Sequence, residues 1–290
     1  MNFSQVYTPG KFGLSFELFP PKTPAGDEAL FRHIAELMQF RPGFITCTYG
    51  AGGSTRAKTL DIVSQVRERF SISVASHLTV VGSTVDQLRS YLNDAAERGI
   101  ENIVALRGDP PRDQQSFTPV EGGLRYANEL VALIRAEFPQ FGIAVAGYPE
   151  KHQEAPSPQV DLENLKRKVD AGADVVITQL FYHNDDFRRF RERYVQAGIT
   201  VPLVPGILPV TNLAQIQRIT SLCGAVLPSE FVGRLSEKGD DADWQFQVGV
   251  EFAARQVREL LDSGIPGMHF YVLNKSQATA SVLREVGWQA

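Results

Sequence analysis

One recurring phrase restricts the fold more than anything else in the chain: an amphipathic helical stretch, a glycine, an Ile or Ala, then a short β-rich run. It reads Ala96-Glu97-Arg98-Gly99-Ile100 ahead of Asn102 to Arg107, and Asp170-Ala171-Gly172-Ala173 ahead of Asp174 to Phe181. Gln196-Ala197-Gly198-Ile199 and Asp262-Ser263-Gly264-Ile265 repeat it further on. The glycine suits the left-handed residue that closes a helix, and the apolar residue after it starts the return to a sheet. Eight β-rich runs occur: Leu14 to Phe19, Gly43 to Tyr49, Ile72 to Thr79, Asn102 to Arg107, Ile143 to Tyr148, Asp174 to Phe181, Val201 to Ile207 and Met268 to Asn274. Apolar stripes at helical spacing lie between them, such as Leu30, Ile34 and Leu37, or Leu60, Val63, Val66 and Phe70. Strand and helix alternating in this way predict an α/β fold, a (β/α)8 TIM barrel of parallel strands, with an open doubly wound sheet as the competing topology. Pro228 to Lys238 and Asp240 to Ser263 read as extra helices inserted between strands 7 and 8. No Gly/Ser/Pro-rich linker interrupts the pattern, so residues 1-290 read as a single barrel domain.

Charge and composition then remove whole classes of function. The formal net charge is -4, and no basic run exceeds Lys166-Arg167-Lys168, which argues against a nucleic-acid partner. No apolar run approaches the ~20 residues needed to cross a bilayer, and the amino terminus lacks a charged region followed by an apolar one. The expectation is a soluble, cytoplasmic protein. The two cysteines, Cys47 and Cys223, are too few for a disulfide framework or a Cys-rich metal site and read as buried free thiols.

In a parallel barrel the chemistry sits at the carboxyl ends of the strands, so those ends form one list. In Ser15-Phe16-Glu17-Leu18-Phe19-Pro20-Pro21-Lys22, alternation puts Ser15, Glu17 and Phe19 on one face. The prolines end the strand just after the carboxylate. A carboxyl desolvated there would have a raised pKa and could serve as a general acid; the bland alternative is a charge reaching solvent. The other strand ends supply Thr48, Tyr49, His77, Thr79, Arg107, Gly108, Asp109, Tyr148, Gln179, Asn274 and Lys275. No strand interior carries a lysine for a Schiff base. His77 has no His or carboxylate at metal-ligand spacing, and His33, His152, His183 and His269 are scattered, so no metal is expected. Gly50 to Thr55 forms a glycine-rich turn that matches neither the dinucleotide fingerprint nor the Walker loop. In Arg107-Gly108-Asp109-Pro110-Pro111 the two charged side chains flank a glycine that lets a flat ligand approach the backbone; a local ion pair is the alternative.

The chain resembles the methylenetetrahydrofolate reductase family in its short bacterial form. The matching phrases are SFELFPPK, ITCTYGAGGS, SHLT, IVALRGDPP, VAGYPEKH, DLENLKRKVDAGAD, ITQLF, PGILPVTN and HFYVLN, in family order across residues 15 to 274. The resemblance implies bound FAD, NADH or NADPH as hydride donor, and 5,10-methylenetetrahydrofolate as the acceptor that becomes 5-methyltetrahydrofolate. It makes Glu17 the general acid and Asp109 the carboxylate that holds the pterin beside the flavin. Gln179 then bonds the pterin edge, and Gln215 and Lys275 are further folate-side positions. The FAD contacts it implies are Thr48, Tyr49, Ala51, His77, Arg107, Gly108, Asp109, Ala127, Tyr148, His152, Ala155, Asp161, Asn164, Arg167 and Lys168. It also implies a homo-oligomer.

Two positions depart from the family pattern: Lys275 stands where relatives commonly have an arginine, and Ile219 where some have a phenylalanine. Two other readings compete, a flavin-dependent barrel dehydrogenase of the proline-oxidising type and a non-catalytic folate or flavin binder. The first has no use for Asp109 and Gln179 as a pterin clamp.

Overall fold

The computed structural model describes residues 1–8, 10–21, 23–48, 56–109 and 117–289. Eight parallel strands, β1 (Gly13–Leu18), β2 (Phe44–Cys47), β3 (Ser73–Thr79), β4 (Asn102–Leu106), β5 (Gly142–Gly147), β6 (Val175–Leu180), β7 (Leu203–Ile207) and β8 (Gly267–Tyr271), close into a barrel in chain order. β1 pairs with both β2 and β8, which closes the ring. The eight runs read from sequence are these strands, and the open-sheet alternative is excluded.

Helices α2 (Pro24–Leu37), α3 (Arg56–Phe70), α4 (Val85–Glu97), α5 (Ala127–Glu137), α6 (Pro158–Asp170) and α7 (Asn184–Gln196) follow strands one to six. Their stripes pack on the outer faces of the strands: Leu14, Phe16 and Leu18 of β1 are buried in the same core as Leu30, Ile34 and Leu37 of α2. Each fully buried Phe or Leu of this kind contributes about 1.5–3 kcal/mol. Thr84 and Gln87 form a reciprocal cap at the start of α4. The glycines of the recurring phrase turn the chain as anticipated: φ is +69° at Gly99, +119° at Gly172, +71° at Gly198 and +71° at Gly264.

Beyond β7 the chain makes α8 (Leu213–Cys223), α9 (Ser229–Ser236) and α10 (Ala242–Asp262) before β8, and α11 (Gln277–Glu285) closes the fold. The extra helices have their own small core, in which Phe231 and Phe252 stack with centroids 3.9 Å apart.

A short helix, α1 (Phe3–Val6), escaped the sequence reading because four residues carry no periodicity. It seals the amino-terminal end of the barrel. Phe3 meets Phe44 edge-on at 4.9 Å, and Asn102 accepts a hydrogen bond from the Phe3 N–H at 2.8 Å. The Tyr7 ring lies so close to Gly13 and Gly267 that an added Cβ would sit 2.3 Å and 2.6 Å from it. Only a residue with no side chain admits that floor. The opposite end stays open. No helix among the described residues is long and apolar enough to cross a membrane.

Candidate active site

Two inward-facing positions of β1 are polar. Ser15 and Glu17 point into the barrel, and Glu17 lies level with Thr46 of β2 and Tyr271 of β8. The carboxylate is 8% exposed, so its neighbours decide its state. His77 Nε2 on β3 lies 3.2 Å from Glu17 Oε2, and His269 Nε2 on β8 lies 3.4 Å from the same oxygen. The other ring nitrogen of His269 is 2.8 Å from Ser15 Oγ. The contact from His77 is close but poorly directed, leaving its buried Nε2 without a hydrogen bond.

This arrangement reverses two expectations. Burial pushes the Glu17 carboxyl up, but the charge of His77, the hydrogen bond from His269, the close approach of His77 and the charge of His269 together outweigh it and hold the pKa at about 2. The carboxyl is therefore not raised, as a desolvated acid standing alone would be. The histidines are not all scattered either: His77 and His269, far apart in sequence, converge on one carboxylate. Among the described residues no three His, Cys, Asp or Glu side chains are arranged to hold a metal ion.

Above Glu17 opens a cavity of about 630 Å³, within the usual range for a small-molecule site. Its wall includes Thr48, His77, Arg107, Gly108 and Asp109 from the first half of the barrel, and Tyr148, His152 and Gln179 from the second. Arg107 forms a bidentate pair with Glu154, its Nη2 donating to Oε1 at 2.7 Å, rather than pairing with Asp109. Tyr148 and His152 meet edge to face at 4.7 Å. Gln179 sits at an irregularity between β6 and β7, where the register slips between Ile177 and Leu180. Such a bulge re-aims a side chain, here toward the mouth.

A second group stands behind this wall rather than in it. The His152 N–H donates to Asp161 at 3.1 Å, and Lys151 donates to the Ala155 carbonyl at 2.6 Å. The Lys168 ammonium donates to the Ala146 carbonyl and lies 6.0 Å from the Tyr148 ring. Burial pushes Lys168 down to about 8, with Asp161 opposing. Asn164 accepts from Arg167 at 3.0 Å on the exposed face of α6. Ala127 opens α5 away from the cavity lining, Gln215 is exposed in the first turn of α8, and Lys275 is exposed after β8. Tyr49, Ala51, the turn from Gly50 to Thr55, Pro110 and Pro111 lie outside the described residues.

Sequence reasoning missed His269, Tyr271 and Glu154, all of which line the cavity. His269 had a signal: it is a polar residue flanked by Met268 and Phe270 in an otherwise apolar strand. Cys47 is buried as expected, but Cys223 is only half-buried and faces the cavity beside Ile219.

A closed eight-stranded parallel barrel with a buried ionisable cluster beneath an open carboxyl-terminal mouth defines the class: a TIM barrel of the enzyme type. Solved structures agree on the fold. A Clostridium thermocellum protein described as binding two copies of 5-methyl-5,6,7,8-tetrahydrofolic acid superposes with a TM-score of 0.63 at 14% identity, covering 98% of this chain and 97% of that one. A phosphonopyruvate hydrolase superposes at 0.54 with 15% identity, covering 99% and 86%. The methylenetetrahydrofolate reductase family model matches residues 2–287, and the chain belongs to that family. It is 38% identical over 288 residues to 5,10-methylenetetrahydrofolate reductase of Escherichia coli (strain K12), covering 99% of this chain and 95% of that protein. It is 39% identical to methylenetetrahydrofolate reductase (NADH) 1 of Zea mays, covering 96% of this chain but only 49% of the maize protein. The chain thus spans about half the length of the plant relatives.

Proposed function

We propose that the chain reduces 5,10-methylenetetrahydrofolate to 5-methyltetrahydrofolate, with NADH or NADPH as the donor and FAD held at the barrel mouth. The observation that carries this reading is the His77–Glu17–His269 cluster beneath the cavity. A methylene bridge between two nitrogens accepts hydride only after one nitrogen is protonated and the ring opens to a cationic iminium. A proton source buried beside the substrate is therefore the first requirement. With its imidazole neighbours charged, Glu17 is an anion that would stabilise the iminium; with them neutral, the charges that oppose its desolvation are gone and it holds a proton more tightly. The proton belongs to the cluster, and Glu17, which lines the cavity, is the member through which it passes to the folate nitrogen.

The residues present suit the cofactor. Lys168 is a cation lodged in a poor place for one, and a phosphate nearby would relieve it. On releasing Glu154, the guanidinium of Arg107 would turn its planar fork to the same phosphates. His77 Nε2 is a buried polar atom without a directed partner, and Thr48, Tyr148 and His152 complete a wall for a flat ring. Bound there, FAD supplies hydride transfer, which no side chain can. Asp109 presents two acceptor oxygens to the amino and ring N–H groups of a pterin, and Gln179 offers both donor and acceptor to its edge.

The test is direct. Purified protein is examined for a flavin spectrum, then mixed anaerobically with NADH, NADPH and methylenetetrahydrofolate in turn. Bleaching by a nicotinamide and reoxidation by the folate support the reading. A colourless protein that FAD cannot reconstitute, or a reduced flavin indifferent to the folate, overturns it.

A further inference from the structure

The hydrogen-bonded ladder between β1 and β8 runs from Gly13 with Gly267 to Glu17 with Tyr271, and the Val272 N–H still reaches the Glu17 carbonyl at 3.4 Å. There the backbone of the second strand turns away. Leu273 and Asn274 both take left-handed conformations, with φ of +48° and +57°, a region that leucine rarely adopts. The pairing nevertheless continues by one more step. The Asn274 side-chain oxygen accepts from the Phe19 N–H at 2.8 Å, and its nitrogen donates to the Phe19 carbonyl at 2.7 Å. The carboxamide stands in for the peptide group that the turn removed.

Few residues meet both demands. Asparagine tolerates the left-handed region better than other residues with a side chain, and its amide carries donor and acceptor at peptide spacing. Glycine meets the first demand only. Aspartate keeps the acceptor, but its second oxygen would face the Phe19 carbonyl.

What the clamp fixes is the rim directly above the reacting carboxylate. Phe19 and Leu273, one on each side of the clamp, both line the cavity, and Phe19 is 38% exposed there. A ring within reach of Glu17 has to sit against this edge of the barrel. The far end of the loop is fastened as well: Ser276, fully buried, bonds Glu36 at 2.5 Å and His33 at 2.8 Å, both on α2. Pinned at both ends, the loop keeps Leu273 turned inward.

We propose that Asn274 is a positioning residue, whose amide joins the ends of β1 and β8 and holds Phe19 and Leu273 as paired apolar jaws for the folate. This rests on the reading of the site as a folate reductase.

The experiment compares wild-type flavin-loaded protein with Asn274→Gly, Asn274→Asp and Leu273→Ala. Binding of 5-methyltetrahydrofolate to the oxidised protein is titrated through the flavin absorbance, and the two half-reactions are timed separately. In all three variants the folate Kd rises and the folate half-reaction slows, each about tenfold, while flavin content and reduction by NADH stay within about twofold of wild type. Folate binding unchanged in both Asn274 variants overturns the proposal, as does an equal loss in the NADH half-reaction. So does a normal Asn274→Gly beside an impaired Asn274→Asp, which would show charge rather than the clamp at work. Should the Asn274 variants fail to fold, Leu273→Ala decides alone, and unchanged folate binding there sinks the jaws. A wild-type protein that binds no folate refutes the underlying reading instead.

Discussion

Ser15 Oγ and His269 Nδ1 lie 2.8 Å apart on neighbouring strands at the same register position. That contact turns the other imidazole nitrogen toward Glu17. The serine thus acts on the carboxylate through the ring it orients.

Ser15→Ala removes the hydroxyl and frees His269 to rotate or change tautomer. The folate half-reaction is expected to slow about tenfold, with an altered pH profile, while flavin reduction by nicotinamide is unchanged. Stopped-flow traces of both half-reactions across pH check this. A uniform loss, with the profile unmoved, would assign Ser15 to packing alone.

Glu17→Gln keeps the shape of the site and, under the proposed function, removes its proton carrier. Folate reduction should fall by about 100- to 10,000-fold, the range for a general acid. Reduction of the flavin by NADH or NADPH should survive. Equal damage to both steps would mean the carboxylate serves the structure rather than the chemistry.

The same carboxylate links stability to acid. Its folded pKa of about 2 lies below its ordinary 4.5, so the protonated form suits the unfolded chain better. The stabilisation is present above pH 4.5, is lost as pH falls toward 2, and amounts to about 3 kcal/mol in total. Urea midpoints measured across that window should drop more steeply for the native chain than for Glu17→Gln. Parallel curves would contradict the assignment.

Asp109→Asn keeps one acceptor but places an N–H where the pterin already offers donors. We expect folate affinity to weaken by about tenfold or more, an unpaired donor at the contact costing about 1–3 kcal/mol, with a changed rate of flavin reoxidation. Titration of the oxidised protein with folate measures it; an unaltered Kd and rate remove Asp109 from the site.

Phe3→Ala opens a hole in the floor of the barrel. The ring is fully buried, and such truncations cost about 3–5 kcal/mol. Chemical denaturation should show that loss with KM values for both substrates unmoved, because the floor lies at the end opposite the mouth.

Strands were legible in the sequence because a parallel strand buried on both faces reads as a short apolar run, and the glycine after each helix marks where the next begins. Glu17, Asp109 and Gln179 were legible as polar residues at strand ends. His269 was not, since its role depends on the register of β8 against β1, a relation between residues more than 250 positions apart. The direction of the Glu17 shift was hidden for the same reason: burial can be guessed from one strand, but the histidines that overrule it come from two others. The four residues of α1 left no pattern because their burial depends on the barrel they plug.

Tyr7 and the helix before it make the barrel a room with one door. Anything that enters the cavity between the described strands leaves by the same opening, so under the proposed function a donor that has surrendered its electrons would block the acceptor until it departs. The floor laid by the first seven residues therefore imposes turn-taking on visitors they never touch.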